Sequence, residues 1–165
     1  MTAVPQNIST LVLGIGNLVM SDDAVGVLVA QRLQQKYRFP DYVEILDGGT
    51  LGLDLLPKLE NITHLIMIDA VETGKKAGTS VRLCGEELPI ALQTKVSPHQ
   101  MGLKDLLAVS ELMGHSPKEM VLIGIQPGSI EMGVGLTIEV EAQLETLVSN
   151  VLSELANWGV VAISV

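Results

Sequence analysis

Cysteine is almost missing from this chain of 165 residues: Cys84 stands alone. That excludes an intramolecular disulfide and leaves no cysteine pair for a zinc or iron–sulfur site, so any metal must be held by Asp, Glu or His. Aromatic residues make up 2% of a sequence that is 47% apolar, so the core has to be built from Leu, Val, Ile, Ala and Met. Basic residues are also few, with 10 Lys and Arg against 19 Asp and Glu and a formal net charge of -9. Such a chain repels a phosphate backbone, and Lys75-Lys76 is the only basic pair, which argues against a nucleic-acid partner. No apolar run approaches the ~18–20 residues needed to span a bilayer, so no membrane partner is expected. Residues 1–8 carry no positive segment and Leu11-Val12-Leu13 is too short for a signal-peptide core, which leads to the expectation of a cytoplasmic protein. No Gly-x-Ser-x-Gly elbow occurs, and Cys84 lies in a predicted strand without an assigned histidine partner, so a serine or cysteine triad is disfavoured.

What is present is an alternation of short apolar runs and amphipathic stretches. Residues 9–15 read as a buried strand, followed by a glycine-rich turn and a helix marked by Val25, Leu28, Val29 and Leu33. Tyr42 to Leu46 reads as a second strand, ended by Asp47-Gly48-Gly49-Thr50, with a short helix over Leu51 to Leu59. Further strands are predicted at His64 to Asp69, Thr79 to Leu83 and Met120 to Ile125, and a helix at Leu103 to Met113. The apolar face of Val140, Leu144, Leu147, Val148, Val151, Leu152 and Leu155 predicts a final helix, for which Thr137 is the expected cap. Strands alternating with helices require crossovers, so the expected fold class is α/β, a three-layer sandwich of the phosphorylase/hydrolase-like kind. Its twisted sheet is largely parallel, with helices on both faces. With no linker or repeat in view, residues 1–165 are expected to form a single domain.

In such sheets ligands bind at the carboxyl ends of the strands. Three polar segments fall at expected ends: Gly14-Ile15-Gly16-Asn17 through Ser21-Asp22-Asp23, Asp69-Ala70, and Ser97-Pro98-His99-Gln100. Each has a plain reading beside a functional one. Ser21, Asp22 and Asp23 suit a helix cap, Asp69 a turn, and His99 a surface position. A dinucleotide loop is the other familiar reading of the glycines, but Val19 replaces the third glycine, and the two aspartates place negative charge where a pyrophosphate would sit, so no cofactor-binding residues are expected. Taken together, one of the Asp22-Asp23 pair, Asp69 and His99 supply two hard oxygens and an imidazole, a set suited to nickel or zinc with positions left open. Open positions accept ligands from another molecule, or a water activated by the ion. Asp22 competes with Asp23 for the first place. His64 and His115 read as structural or solvent-exposed, the methionines as filler, and Asp47-Gly48-Gly49-Thr50 as a tight turn near the same crevice.

The motifs Leu13-Gly14-Ile15-Gly16-Asn17, Ser21-Asp22-Asp23-Ala24-Val25-Gly26, Asp47-Gly48-Gly49-Thr50, Asp69-Ala70 and Ser97-Pro98-His99-Gln100 together resemble those of the hydrogenase maturation endopeptidases, peptidase family M52. The likeness runs in order over about residues 9 to 160. It implies an endopeptidase, of aspartic or metal-dependent type, that removes the C-terminal extension of a nickel–iron hydrogenase large-subunit precursor after nickel insertion. It also implies that nickel supplied by that substrate is the recognition element, and that the metal-binding and catalytic positions are Asp23, Asp69 and His99. Asp23 stands where some members carry Glu. The alternative is a nickel carrier or maturation factor on the same fold without hydrolytic activity.

Overall fold

The computed structural model describes residues 8–49, 52–85, 87–88 and 106–165. Its first element, β1 (Thr10–Ile15), is buried along its whole length. Helix α1 (Val25–Lys36) follows and leads into the short β2 (Tyr37–Arg38) and then β3 (Val43–Gly49). A 3-10 turn (Gly52–Leu55) and α2 (Leu56–Leu59) precede β4 (His64–Ala70). Strand β5 (Ser80–Cys84), a helix α3 spanning 106–112, and β6 (Glu119–Ile125) come next. The chain ends in α4 (Ile138–Glu141), α5 (Leu144–Asn157) and β7 (Ile163–Ser164).

Five strands form a sheet of order β3-β1-β4-β6-β5, in which β5 runs antiparallel to β6 and the other pairs are parallel. Period-two alternation sorts its side chains between two cores. Val12, Ile66, Ile68 and Ile123 meet Val25, Val29 and Leu33 of α1 and Leu147, Val151 and Leu155 of α5. Leu11, Leu13, Leu65, Met67 and Leu122 meet Leu55, Leu59 and Leu106 on the other side. Helices thus cover both faces, as the alternation of elements predicts. Each fully buried Leu or Ile contributes about 1.5–3 kcal/mol of transfer free energy, so these two cores carry most of the stabilisation. Arg82 of β5 and the nearly buried carboxylate of Glu154 on α5 form an ion pair, which also holds the guanidinium above its usual range.

The connections from β1 and β4 diverge: the chain leaving β1 crosses to β3 over the α1 face, while α3 precedes β6 on the opposite face. The switch point therefore lies between the carboxyl ends of β1 and β4, where an open α/β sheet leaves a crevice.

Two local expectations are corrected. The last helix is interrupted at Ala142–Gln143, giving α4 and α5. Thr137 occupies the cap position of α4, yet its hydroxyl makes no capping bond and donates to Asp22 instead, at 2.8 Å. Donating to that distant carboxylate orients the hydroxyl away from the first-turn amides that a capping oxygen would accept from. The pairing of β2 with β7 into a second, two-stranded sheet was not foreseen, since two residues carry no periodicity.

Candidate functional site

The crevice is built by close approach of backbones. A side chain on Gly26 would begin 2.1 Å from the carbonyl oxygen of Ile68 and 2.4 Å from that of Ile15, so only hydrogen lets α1 lie directly on the ends of β4 and β1. Gly16 has φ of +144°, and a side chain there would begin 1.8 Å from the carbonyl oxygen of Asp23. Gly16 thus makes room for the Asp23 backbone and Gly14 for α1 at Gly26 and Ala30, which accounts for the glycine pair without a dinucleotide.

Asp23 lies one helical turn before Gly26, and Asp69 directly follows Ile68, so the contact of Gly26 with Ile68 brings both aspartates to one crevice. Both are fully buried. One carboxylate oxygen of Asp23 accepts the Asn17 amide at 3.1 Å. Asp69 accepts the amide of its own neighbour, Ala70, at 2.8 Å. Register places Asp69 opposite Gly124 of β6, one level before both strands end at the Ala70 and Ile125 pair. In both bonds a backbone amide is the donor, and such a bond orients the carboxylate. Two such oxygen-bearing groups at a sheet's carboxyl edge fit a divalent cation, because desolvating a carboxylate costs several kcal/mol that coordination offsets. His99, with Ser97, Pro98 and Gln100, lies outside the described residues.

Asp22 has a different fate. It too is fully buried, but its carboxylate accepts four hydrogen bonds from one segment: the amides of Gly128 (2.7 Å), Ser129 (3.1 Å) and Thr137 (2.7 Å), and the Thr137 hydroxyl. Its own amide donates to the Ser129 carbonyl at 3.0 Å. Asp22 is therefore the clamp between the loop after β1 and the 128–137 segment. Neither forms a side-chain cap of the helix that follows, so the capping reading is not what the structure uses.

The same segment grips the loop again further out. Met20 bridges Gly133, the Ser21 amide donates to the Gly133 carbonyl at 2.9 Å, and the Gly133 amide donates to the Val19 carbonyl at 2.8 Å. Ser21, at φ of +52°, is held there by its hydroxyl, which donates to the Glu131 carbonyl at 2.6 Å. Sequence reasoning missed these partners: Gly128, Ser129 and Thr137 lie more than 100 residues from Asp22, and no local pattern announces them.

Asp47 at the end of β3 accepts the Gln31 side-chain amide at 3.0 Å, tying the strand to α1; Thr50 of that turn lies outside the described residues. His64 and His115 are remote from the crevice. His64 begins β4 at the opposite end of the sheet, with its ring 4.7 Å from that of Trp158, while the His115 carbonyl accepts the Ser110 hydroxyl. Cys84 ends β5, at the same far end as His64.

The chain is similar to known proteins in sequence and in fold. A family model described as hydrogenase maturation protease (HycI) matches residues 27–154. The chain is 47% identical over 154 residues to the hydrogenase 2 maturation protease of Escherichia coli K12, covering 93% of this chain and 94% of that one. It is 40% identical to the hydrogenase expression/formation protein HupD of Rhodobacter capsulatus, covering 91% of this chain and 72% of the relative. Among solved structures, the hydrogenase maturating endopeptidase HybD from Escherichia coli superposes with a TM-score of 0.91 at 44% identity, covering 94% of this chain and 97% of that one. The NiFe hydrogenase maturation protease HybD from Thermococcus kodakarensis follows at 0.71 and 28%, covering 90% of this chain and 99% of its own.

Proposed function

This chain belongs to the hydrogenase maturation protease family and is an endopeptidase of that class, and from this premise we propose a substrate and a chemistry for it. The substrate is the precursor of a nickel–iron hydrogenase large subunit, met in the cytoplasm after nickel insertion, and the product is that subunit without its C-terminal extension. The reading is metal-dependent. Asp23, Asp69 and His99 are the residues that would complete the coordination of nickel brought in by the precursor, two oxygens and one imidazole being a set that accepts such an ion. An ion held there supplies Lewis acidity toward a peptide carbonyl or a water. The observation that carries this reading is the pair of fully buried carboxylates, Asp23 and Asp69, gathered at the switch point of the sheet.

What the chain itself does follows from its geometry. The Asn17 and Ala70 amides hold the two carboxylates in orientation, the Asp22 clamp keeps the loop of Asp23 from moving with respect to the sheet, and the closed packing of α1 on β1 and β4 excludes water from beneath the crevice. The test is to mix the protein with nickel-loaded and nickel-free precursor and follow tail removal by intact mass. Only the nickel-loaded precursor is expected to be cut. Asp23→Ala, Asp69→Ala and His99→Ala are each expected to lower the rate by about 100- to 1,000-fold, the range seen when one group that stabilises a transition state is lost. A competent precursor left intact points to a nickel carrier instead, while cleavage untouched by these substitutions overturns the assignment of the site to Asp23, Asp69 and His99.

A further inference from the structure

Around the crevice several apolar side chains of the described residues are exposed. Leu18 and Val19 are about half exposed, and Met132 and Val134 are exposed to 84% and 89%. The bridge between Met20 and Gly133 makes these one surface. The bridge is parallel, so Val19 falls level with Met132 and Ser21 with Val134, which draws the exposed residues of the two segments together. Ile138, equally exposed, continues the ridge into α4, and the exposed Glu131 and Glu139 flank it. Past Val134 lies a groove of about 340 Å³ between α1 and the 135–144 segment, with Leu28, Leu136 and Leu144 among its lining. The ridge is also rigid with respect to the crevice, because the Asp22 clamp and the Ser21 and Gly133 hydrogen bonds join its two strands immediately beside Asp23.

Exposed apolar groups gathered in one place mark a binding surface more often than groups scattered singly. We infer that this ridge is the docking face for the protein substrate, and that it receives an apolar patch bordered by basic residues on the large-subunit precursor. The inference rests on the endopeptidase reading. Two observations select this occupant. The ridge is continuous with the loop that carries Asp23, so whatever seats on it is delivered to the crevice. The glutamates beside it, on a chain of net charge -9, favour a partner whose rim is basic. A ridge held rigid suits recognition of a folded surface, since little ordering entropy is lost on contact.

The test uses the full-length protein with Met132→Glu and Val134→Glu combined, and Val161→Glu as the control at another exposed apolar position, 74% exposed on the C-terminal segment. Binding of labelled nickel-loaded precursor and the initial rate of tail removal are measured across precursor concentrations. The expected result for the double variant is a Kd and KM raised about tenfold, with kcat and Tm unchanged, while the control matches the parent. Parent-like KM in the double variant overturns the docking face, as does a fall in kcat alone. Concentration-dependent dimerisation that the two glutamates abolish assigns the ridge to a second copy and likewise overturns the proposal. A parent protein that binds precursor through the ridge but leaves it uncut sinks the endopeptidase reading and sustains the docking face; one that neither binds nor cuts overturns both.

Discussion

The two ends of the sheet are built on different principles. At the carboxyl end, buried carboxylates and backbone-to-backbone contact at glycine hold loops that are far apart in sequence, and much of the hydrogen bonding runs from side chains to amides. At the amino end the strands are joined by a ladder of main-chain bonds: the Thr63 and His64 amides donate to the Ser9 carbonyl, and the Lys118 and Glu119 amides to that of Thr63. There the side chains pack in pairs, as His64 does with Trp158. The difference teaches where this fold concentrates its sensitivity. The amino end has many interchangeable contacts, whereas the carboxyl end depends on a few groups that admit no substitute.

The comparison is broken most severely by Gly26→Ala. The new methyl meets two main-chain carbonyls, so α1 must move away from β1 and β4, at a cost of about 3 kcal/mol as an overpacked site. Activity should fall with it, because the contact that gathers Asp23 and Asp69 opens; urea unfolding and the precursor assay together check this. Asp22→Ala comes next. It strands three amides and a hydroxyl, each worth about 1–3 kcal/mol if left buried and unsatisfied, and water entry offsets part of the loss. A net cost of about 2–3 kcal/mol lowers Tm by roughly 4–12 °C in a protein of this size. Equal stability in the variant would show that the clamp carries no energy.

At the amino end the expected effects are smaller and confined to stability. His64→Ala removes a ring pair worth about 0.5–1.5 kcal/mol, and the bond between His64 Nδ1 and the Thr63 hydroxyl, without touching the crevice. Tm should drop by a few degrees with tail removal unchanged; a loss of activity would erase the contrast between the ends. The least effect is expected from Glu145→Gln on α5, whose carboxylate meets Arg32 and Lys36 of α1 at the surface. Hydrogen bonding to Arg32, then to Lys36, holds that carboxyl below its ordinary value. A lowered folded-state pKa means the contribution is present above the unfolded value of ~4.3 and disappears as the pH falls through the folded one. The variant should therefore unfold slightly earlier than the parent at pH 7 and together with it in strong acid, a difference read by thermal melts at the two pH values.

Much of this was legible before any coordinates. Leu11 to Leu13 and Leu65 to Ile68 are continuous apolar runs, and a run buried on both faces has to be an interior parallel strand. Asp69 stood out because a carboxylate ending such a run is costly to bury. The ranking of Asp22 against Asp23 was not legible. Adjacent and chemically identical, they differ only in what the 128–137 segment offers to one of them, and that segment arrives from the far end of the chain. Thr137 shows the same limit: its pattern is that of a cap, and its hydroxyl is drawn away by a partner that local sequence cannot reveal.

By itself, then, the sequence determined the period of each element, the aliphatic character of the core, the alternation that demands a parallel sheet, and the set of oxygen and imidazole groups available for chemistry. These follow from local sterics and from transfer free energy, which each residue carries wherever it sits. Only the tertiary structure decided that Asp22 ties the loop after β1 to the 128–137 segment, and which apolar residues remain outside as a ridge. Those outcomes depend on hydrogen bonds and backbone contacts between segments distant in the chain, and their energies come into being only when the segments meet.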